Sequence, residues 1–172
     1  MFPEETKERI ELIGGELVVT PQPTQRHQAV VGEVFARLWL YAQQHGGKAY
    51  VSPTGVYLRE DDFLLPDVFF IRQEHLGRIG PKVIRGAPDL VVEVSSPRTR
   101  RDDLTRRRDR YERHGVSEYW FVDLDDEAVR IFRSTGGRYG EPEILGRGSI
   151  LTSAVLPGLE IEVDAILGPR PE

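Results

Sequence analysis

Phe63-Leu64-Leu65-Pro66-Asp67-Val68-Phe69-Phe70-Ile71 and Asp89-Leu90-Val91-Val92-Glu93-Val94-Ser95 each set a carboxylate inside a run of apolar, strand-forming residues. Period-two alternation puts Val91, Glu93 and Ser95 on one side of the second strand and Leu90, Val92 and Val94 on the other. On the first strand Asp67 shares its side with Phe69 and Ile71, and Pro66, which has no N–H to donate, marks an edge or a bulge. A carboxylate on a buried strand costs several kcal/mol unless a partner or a cation compensates it. If the two strands are neighbours, roughly 5 Å apart, Asp67 and Glu93 reach one cation. The pair predicts a divalent-metal site suited to phosphate chemistry.

The flanking sequence reads as a continuous α/β unit. Ile10 to Thr20 predicts a hairpin turned at Gly14-Gly15 and broken by Pro21-Gln22-Pro23-Thr24. From Gln25 to His45, Val31, Val34, Phe35, Leu38 and Ala42 follow helical spacing, and Gly46-Gly47 ends the pattern. Strands are expected at 48–58, 63–71 and 89–95, with turns at Ser52-Pro53-Thr54-Gly55 and Glu60-Asp61-Asp62. A second helix is expected from Asp102 to His114, capped by Asp102 or Asp103 and ended by Gly115. Strands at 118–124 and 128–133 follow, joined by Asp125-Asp126-Glu127, and Ile150–Leu156 and Leu159–Val163 read as short strands. Trp39 and Trp120 read as packing residues, and Asp123 as a turn residue.

Composition bounds the chemistry. The 172 residues, 39% of them hydrophobic, predict a single domain over 1–172 with a real core. No run approaches the ~18 apolar residues of a membrane span. The acidic start Met1-Phe2-Pro3-Glu4-Glu5 is unlike a secretion signal, so a cytoplasmic location is expected. Without cysteine there is neither a disulfide nor thiolate zinc, which leaves oxygen-ligated Mg or Mn. The absence of cysteine and asparagine, with a single methionine, leans towards a heat-adapted (thermophilic) source.

A net charge of −5 does not favour nucleic-acid binding by bulk electrostatics, but the charge is unevenly spread. Residues 98–113 hold eight arginines (Arg98, Arg100, Arg101, Arg106, Arg107, Arg108, Arg110, Arg113) against four acids. Such a run is either a solvated, ion-paired face or a phosphate-binding one. Leu104, Arg107, Arg108 and Tyr111 share a helical face, so one arginine is expected to point inward. Arg107, between Leu104 and Tyr111, is the better candidate, while Arg108 can snorkel outward.

Taken in order, Glu11-Leu12-Ile13-Gly14-Gly15-Glu16-Leu17, Arg26-His27-Gln28, Pro66-Asp67, Val92-Glu93-Val94-Ser95-Ser96-Pro97, Arg101-Asp102-Asp103-Leu104 and Tyr111 to Asp123 resemble the bacterial family of putative restriction endonucleases, within the PD-(D/E)XK nuclease superfamily. The resemblance runs from about residue 8 to 167 and rests on the ordered set, since no single motif is specific. It implies a restriction-endonuclease-like α/β core: a mixed central sheet flanked by two main helices, with short strands at both ends.

The resemblance further implies a metal-dependent endonuclease acting on DNA, working as a homodimer or higher homo-oligomer because cutting both strands needs two sites. Asp67 and Glu93 match the motif acids that hold the metal, with the Val94 carbonyl as a possible third ligand. The superfamily's motif lysine falls at Ser95 and is missing. In the close family the cation sits on the following helix, at the position of Arg107. The only lysines are Lys7, Lys48 and Lys82. Arginine cannot act as a base near neutral pH, but it can clamp a phosphate, with Glu93 accepting the water's proton. Arg101, Arg107 and Arg108 are the expected nucleic-acid contacts. His27, Glu33, Glu16 and Tyr111 are weaker candidates for the site's edge. The alternative is a nuclease-fold nucleic-acid-binding or scaffold protein without cleavage.

Overall fold

The computed structural model describes residues 9–20, 22–97 and 99–170. Lys7, Pro21 and Arg98 of the readings above lie outside them.

The chain opens on a hairpin of β1 (Arg9–Ile13) and β2 (Glu16–Thr20), with Leu12 opposite Leu17 and the turn at Gly14-Gly15. Both turn glycines have positive φ, 59° and 80°, which glycine adopts without steric cost. Helix α1 (Gln25–His45) follows. The Thr24 hydroxyl caps it by accepting from the His27 N–H, and its buried stripe of His27, Val30, Val31, Val34, Leu38 and Ala42 keeps helical period. Trp39, expected in the core, is instead 47% exposed beside exposed Leu40. It lies one position off the buried stripe, so its bulk alone did not decide its burial.

The expected strand 48–58 divides into β3 (Lys48–Val51) and β4 (Val56–Arg59). The expected strand 63–71 divides into β5 (Asp62–Leu64) and β6 (Val68–Ile71). In both cases a proline-containing segment carries the chain from one sheet to another, because proline cannot continue the ladder. Then come a short 3-10 segment (Gln73–Arg78), β7 (Ile84–Arg85) and β8 (Leu90–Val94).

The arginine-rich helix runs over 100–113 and begins earlier than expected, with Thr99 rather than Asp102 or Asp103 at its N-terminal boundary. Its middle, Asp103–Arg107, is wound as a π-helix. The buried positions are Asp103, Arg107 and Tyr111, while Leu104 is only half-buried. Arg107 and Tyr111 thus point inward as expected, Leu104 packs against the core only half-buried, and Asp103 joins the buried side. β9 (Glu118–Asp123), β10 (Ala128–Thr135), β11 (Arg138–Tyr139), β12 (Glu143–Gly146), β13 (Ile150–Thr152) and β14 (Glu160–Glu162) follow. A final helical turn, Val163–Leu167, occupies part of the segment read as strand.

The central sheet runs β11-β10-β9-β8-β6-β3, with β12 also on β10. It is mixed: β8 and β9 are parallel, β6 and β8 antiparallel. Leu90, Val92 and Val94 pack with α1 on one face. Val91, Phe69 and Ile71 face Tyr111 of the arginine-rich helix and Ile13 of the hairpin on the other. The hairpin belongs to a second sheet, β2-β1-β5-β4-β7. Asp67 and Glu93 lie on the side where the helix and this second sheet converge. Among the described residues no helix is long and apolar enough to cross a membrane.

Candidate active site

Register brings the two strand acids together. β6 pairs β8 with Val68 opposite Val92, and one residue further Asp67 and Glu93 meet. The Asp67 N–H donates to Glu93 Oε2 at 3.3 Å, and the Val94 N–H to Asp67 Oδ2 at 2.9 Å. His27 Nε2, from the first turn of α1, lies 3.2 Å from the same Oδ2. Arg9 Nη1, from β1, donates to Oδ1 at 2.8 Å. Burial pushes the Asp67 carboxyl up, but the His27 hydrogen bond, the Arg9 and His27 charges and the Val94 N–H outweigh it and hold the group at about 2.

Glu93 behaves oppositely. Burial and then the charge of Asp67 push it well above the ordinary carboxylate range, with Arg107 only partly countering them. Two carboxylates this close titrate as a unit, and Glu93 takes the proton. The Tyr111 hydroxyl donates to Glu93 Oε1 at 2.6 Å.

A second layer joins Arg107, expected to point inward, to Arg9, Glu11 and Asp103, which the sequence reading did not place at the site. Arg107 points inward and makes a two-point pair with Glu11, at 2.8 and 2.5 Å. Its Nε lies 3.1 Å from Asp103 Oδ1 and its Nη1 3.6 Å from Glu93 Oε1. Glu11 also accepts the Leu65 N–H at 2.7 Å. Burial raises Asp103 to about 7 against the pull of Arg107. Arg9, Glu11 and Asp103 were each legible in principle. Arg9 and Glu11 share a face of β1 with Ile13, so charge stands in phase with a fully buried residue. Asp103 precedes Arg107 by one helical turn.

These groups surround a cavity of about 320 Å³, lined among others by Arg9, Thr20, His27, Asp67, Glu93, Asp103 and Arg107. Around it Glu11, Asp67, Glu93 and Asp103, all buried carboxylates, face the guanidiniums of Arg9 and Arg107. Carboxyl groups outnumber guanidiniums, and the donors are hard oxygens, which fits a divalent cation such as Mg or Mn. Among the described residues no three His, Asp or Glu side chains converge on a metal position. The fit is therefore to an ion held by two carboxylates and completed by water and phosphate oxygens, a common arrangement for Mg.

The remaining candidates divide between the cavity and elsewhere. Val94 lines the cavity. Ser95 does not, because its hydroxyl accepts the Leu124 N–H at 2.8 Å. Arg101 is exposed beside an adjoining groove that includes Thr20, Thr99 and Arg107. Arg108 turns out, pairing with Asp109 and lying 5.6 Å over the Phe132 ring. Two site-edge expectations are corrected. Glu33 pairs with Arg37 on α1 and lines a different hollow, and Glu16 pairs with Arg106 with its side chain 74% exposed. Position on an amphipathic helix or beside a glycine turn did not carry either to the acids. Asp123 accepts the N–H groups of Asp125 and Asp126, as a turn residue does.

A family model described as "Uma2: Putative restriction endonuclease" matches residues 1–164. Among solved structures, a putative nuclease belonging to DUF820 from Anabaena variabilis ATCC 29413 superimposes with a TM-score of 0.77. The two are 19% identical over 92% of this chain and 89% of that one, a likeness of fold. No curated protein matches the chain.

Proposed function

Because the chain belongs to this family of putative restriction endonucleases, we propose that it is a metal-dependent endonuclease hydrolysing phosphodiester bonds of DNA, with Asp67 and Glu93 holding Mg or Mn. The observation that carries the reading is the opposition of these two buried acids in a cavity where carboxylates outnumber guanidiniums. The Val94 main-chain carbonyl offers a further oxygen. A divalent ion there supplies Lewis-acid polarisation of the phosphoryl oxygens and a water of lowered pKa.

The chain's own groups do the rest. Glu93, ionised when it holds the cation, is the carboxylate placed to accept the water's proton. Tyr111 fixes its orientation through Oε1. Arg107, clasped by Glu11, presents positive charge to Glu93 and keeps the acids at their spacing. Exposed Arg101 is the expected contact to the DNA backbone outside the cavity.

The test is cleavage of plasmid and single-stranded DNA in Mg and in Mn, comparing wild type with Glu93→Gln. Metal-dependent cutting that the variant loses by ~100-fold or more supports the reading; cutting that survives the substitution refutes it. The second reading, a nuclease fold that binds without cutting, is favoured by one observation: Asp67 is already met by Arg9, His27 and the Val94 N–H. It predicts no cleavage in any metal.

A further inference from the structure

The two arginines at the cavity are held in different ways. Arg107 is 3% exposed, and its three guanidinium nitrogens face Glu11, Asp103 and Glu93. Withdrawing it would strand buried carboxylates, so it is fixed. Arg9 has a single carboxylate partner among the described residues, through one nitrogen, and otherwise the Leu65 carbonyl. Its side chain is 18% exposed, against 4% for that of Arg107. The oxygens of Asp67 are also unequal. Oδ2 is taken by the Val94 N–H and His27, whereas Oδ1 meets only Arg9 among the described residues.

We propose that Arg9 is the phosphate-binding cation of this site: it neutralises Asp67 Oδ1 until a divalent ion takes that oxygen, and its released guanidinium then grips the phosphodiester in the cavity. The inference rests on the endonuclease reading and supplies the cation missing at Ser95. A guanidinium and a divalent ion on the same carboxylate oxygen repel each other at close range, so metal binding there weakens the Arg9 ion pair. A planar fork released beside the ion has the geometry to take two phosphate oxygens at once. Arg9 reaches Asp67 from the hairpin and Arg107 reaches Glu93 from the helix, so a phosphate in the cavity they both line would meet one cation free to move and one that is fixed.

Exchange gives opposite effects on metal and on substrate. Removing the Arg9 charge frees Oδ1: if the ion pair is closed about nine-tenths of the time, metal affinity rises about tenfold. The same substitution removes a phosphate contact, so cleavage at saturating metal falls. A residue with a merely structural role would weaken both.

The experiment measures Mn2+ binding alone by the rise in melting temperature, and plasmid cleavage at saturating Mn2+, for wild type, Arg9→Gln, Arg9→Lys and Asp67→Asn. Circular dichroism confirms that each is folded, and Arg9→Gln keeps a polar N–H donor on a shorter side chain without the charge. The expected result is tighter Mn2+ binding with slower cleavage in Arg9→Gln, and partial cleavage in Arg9→Lys, which keeps charge but lacks the fork. Unchanged or weaker Mn2+ binding in Arg9→Gln overturns the exchange. Tighter binding with unchanged cleavage overturns the phosphate role. If wild type and Arg9→Gln both ignore Mn2+, the metal-site reading itself fails, a different outcome from loss of the Arg9 effect alone.

Discussion

Arg107 and Glu11 form a two-point ion pair between the middle of the arginine-rich helix and the first strand, with both side chains almost fully buried. It ties the hairpin to the helix directly behind the strand acids. Breaking such a pair from one side leaves an uncompensated buried charge, which costs about 3–5 kcal/mol. Arg107→Leu should therefore destabilise the protein by that order in urea unfolding. Pairing it with Glu11→Leu should recover part of the loss, because Glu11 is then no longer stranded while Asp103 still lacks its arginine. A double variant as unstable as the sum of the singles would count against this account.

The strand acids make stability depend on pH in two opposing ways. Asp67 ionises in the folded protein at about 2, below its ordinary 3.8. The unfolded chain holds the extra proton between these values, so this contribution, of order 2 kcal/mol, is lost as pH falls through them. Asp103 lies at about 7, above 3.8. There the folded protein holds the extra proton, so stability falls as pH rises from about 4 to 7. Glu93, also raised, adds to that fall. Urea midpoints across this range without metal should show the decline, and Asp103→Asn should flatten it. Saturating Mg2+ should oppose the decline, because only ionised acids bind the cation. A metal-free profile that rises steadily from pH 4 to 7 would contradict the assignment.

Ser95 stands where the resemblance to the nuclease superfamily expects a lysine, and its surroundings predict that placing one there should fail. Buried just past the end of β8, its hydroxyl satisfies the Leu124 N–H. Ser95→Ala should cost about 1–3 kcal/mol for the unsatisfied N–H. Ser95→Lys adds a buried ammonium and should cost more, without raising any cleavage rate. A lysine variant as stable as wild type and faster in plasmid cleavage would show that the pocket had room for it.

The parts of this site that sequence made readable are those fixed by local periodicity. The α1 boundaries, Gln25 to His45, follow from its apolar stripe and Gly46, and the two-residue alternation put Asp67 and Glu93 on the same side as Phe69 and Val91. The fold as a mixed sheet between two main helices was equally legible. What local pattern hides is long-range assembly. Arg9 and Glu11 reach the acids only because β1 pairs with β5, and the turn at Pro66 steers β6 away into the other sheet. Asp103 read as a cap because Arg100 and Arg101 carry no apolar signal that the helix had already begun. The π-wound segment then brings Asp103 to the buried side with Arg107 and Tyr111, which regular helical spacing does not anticipate.

The central claim is that Asp67 and Glu93 jointly hold one divalent cation, and titration calorimetry with Mn2+ tests it most directly. Wild type should bind one equivalent and release protons as it does, since Glu93 must ionise; Asp67→Asn and Glu93→Gln should each abolish the binding. Mn2+ bound equally well by all three proteins would contradict the account, as would the absence of any binding heat in wild type at every temperature tried.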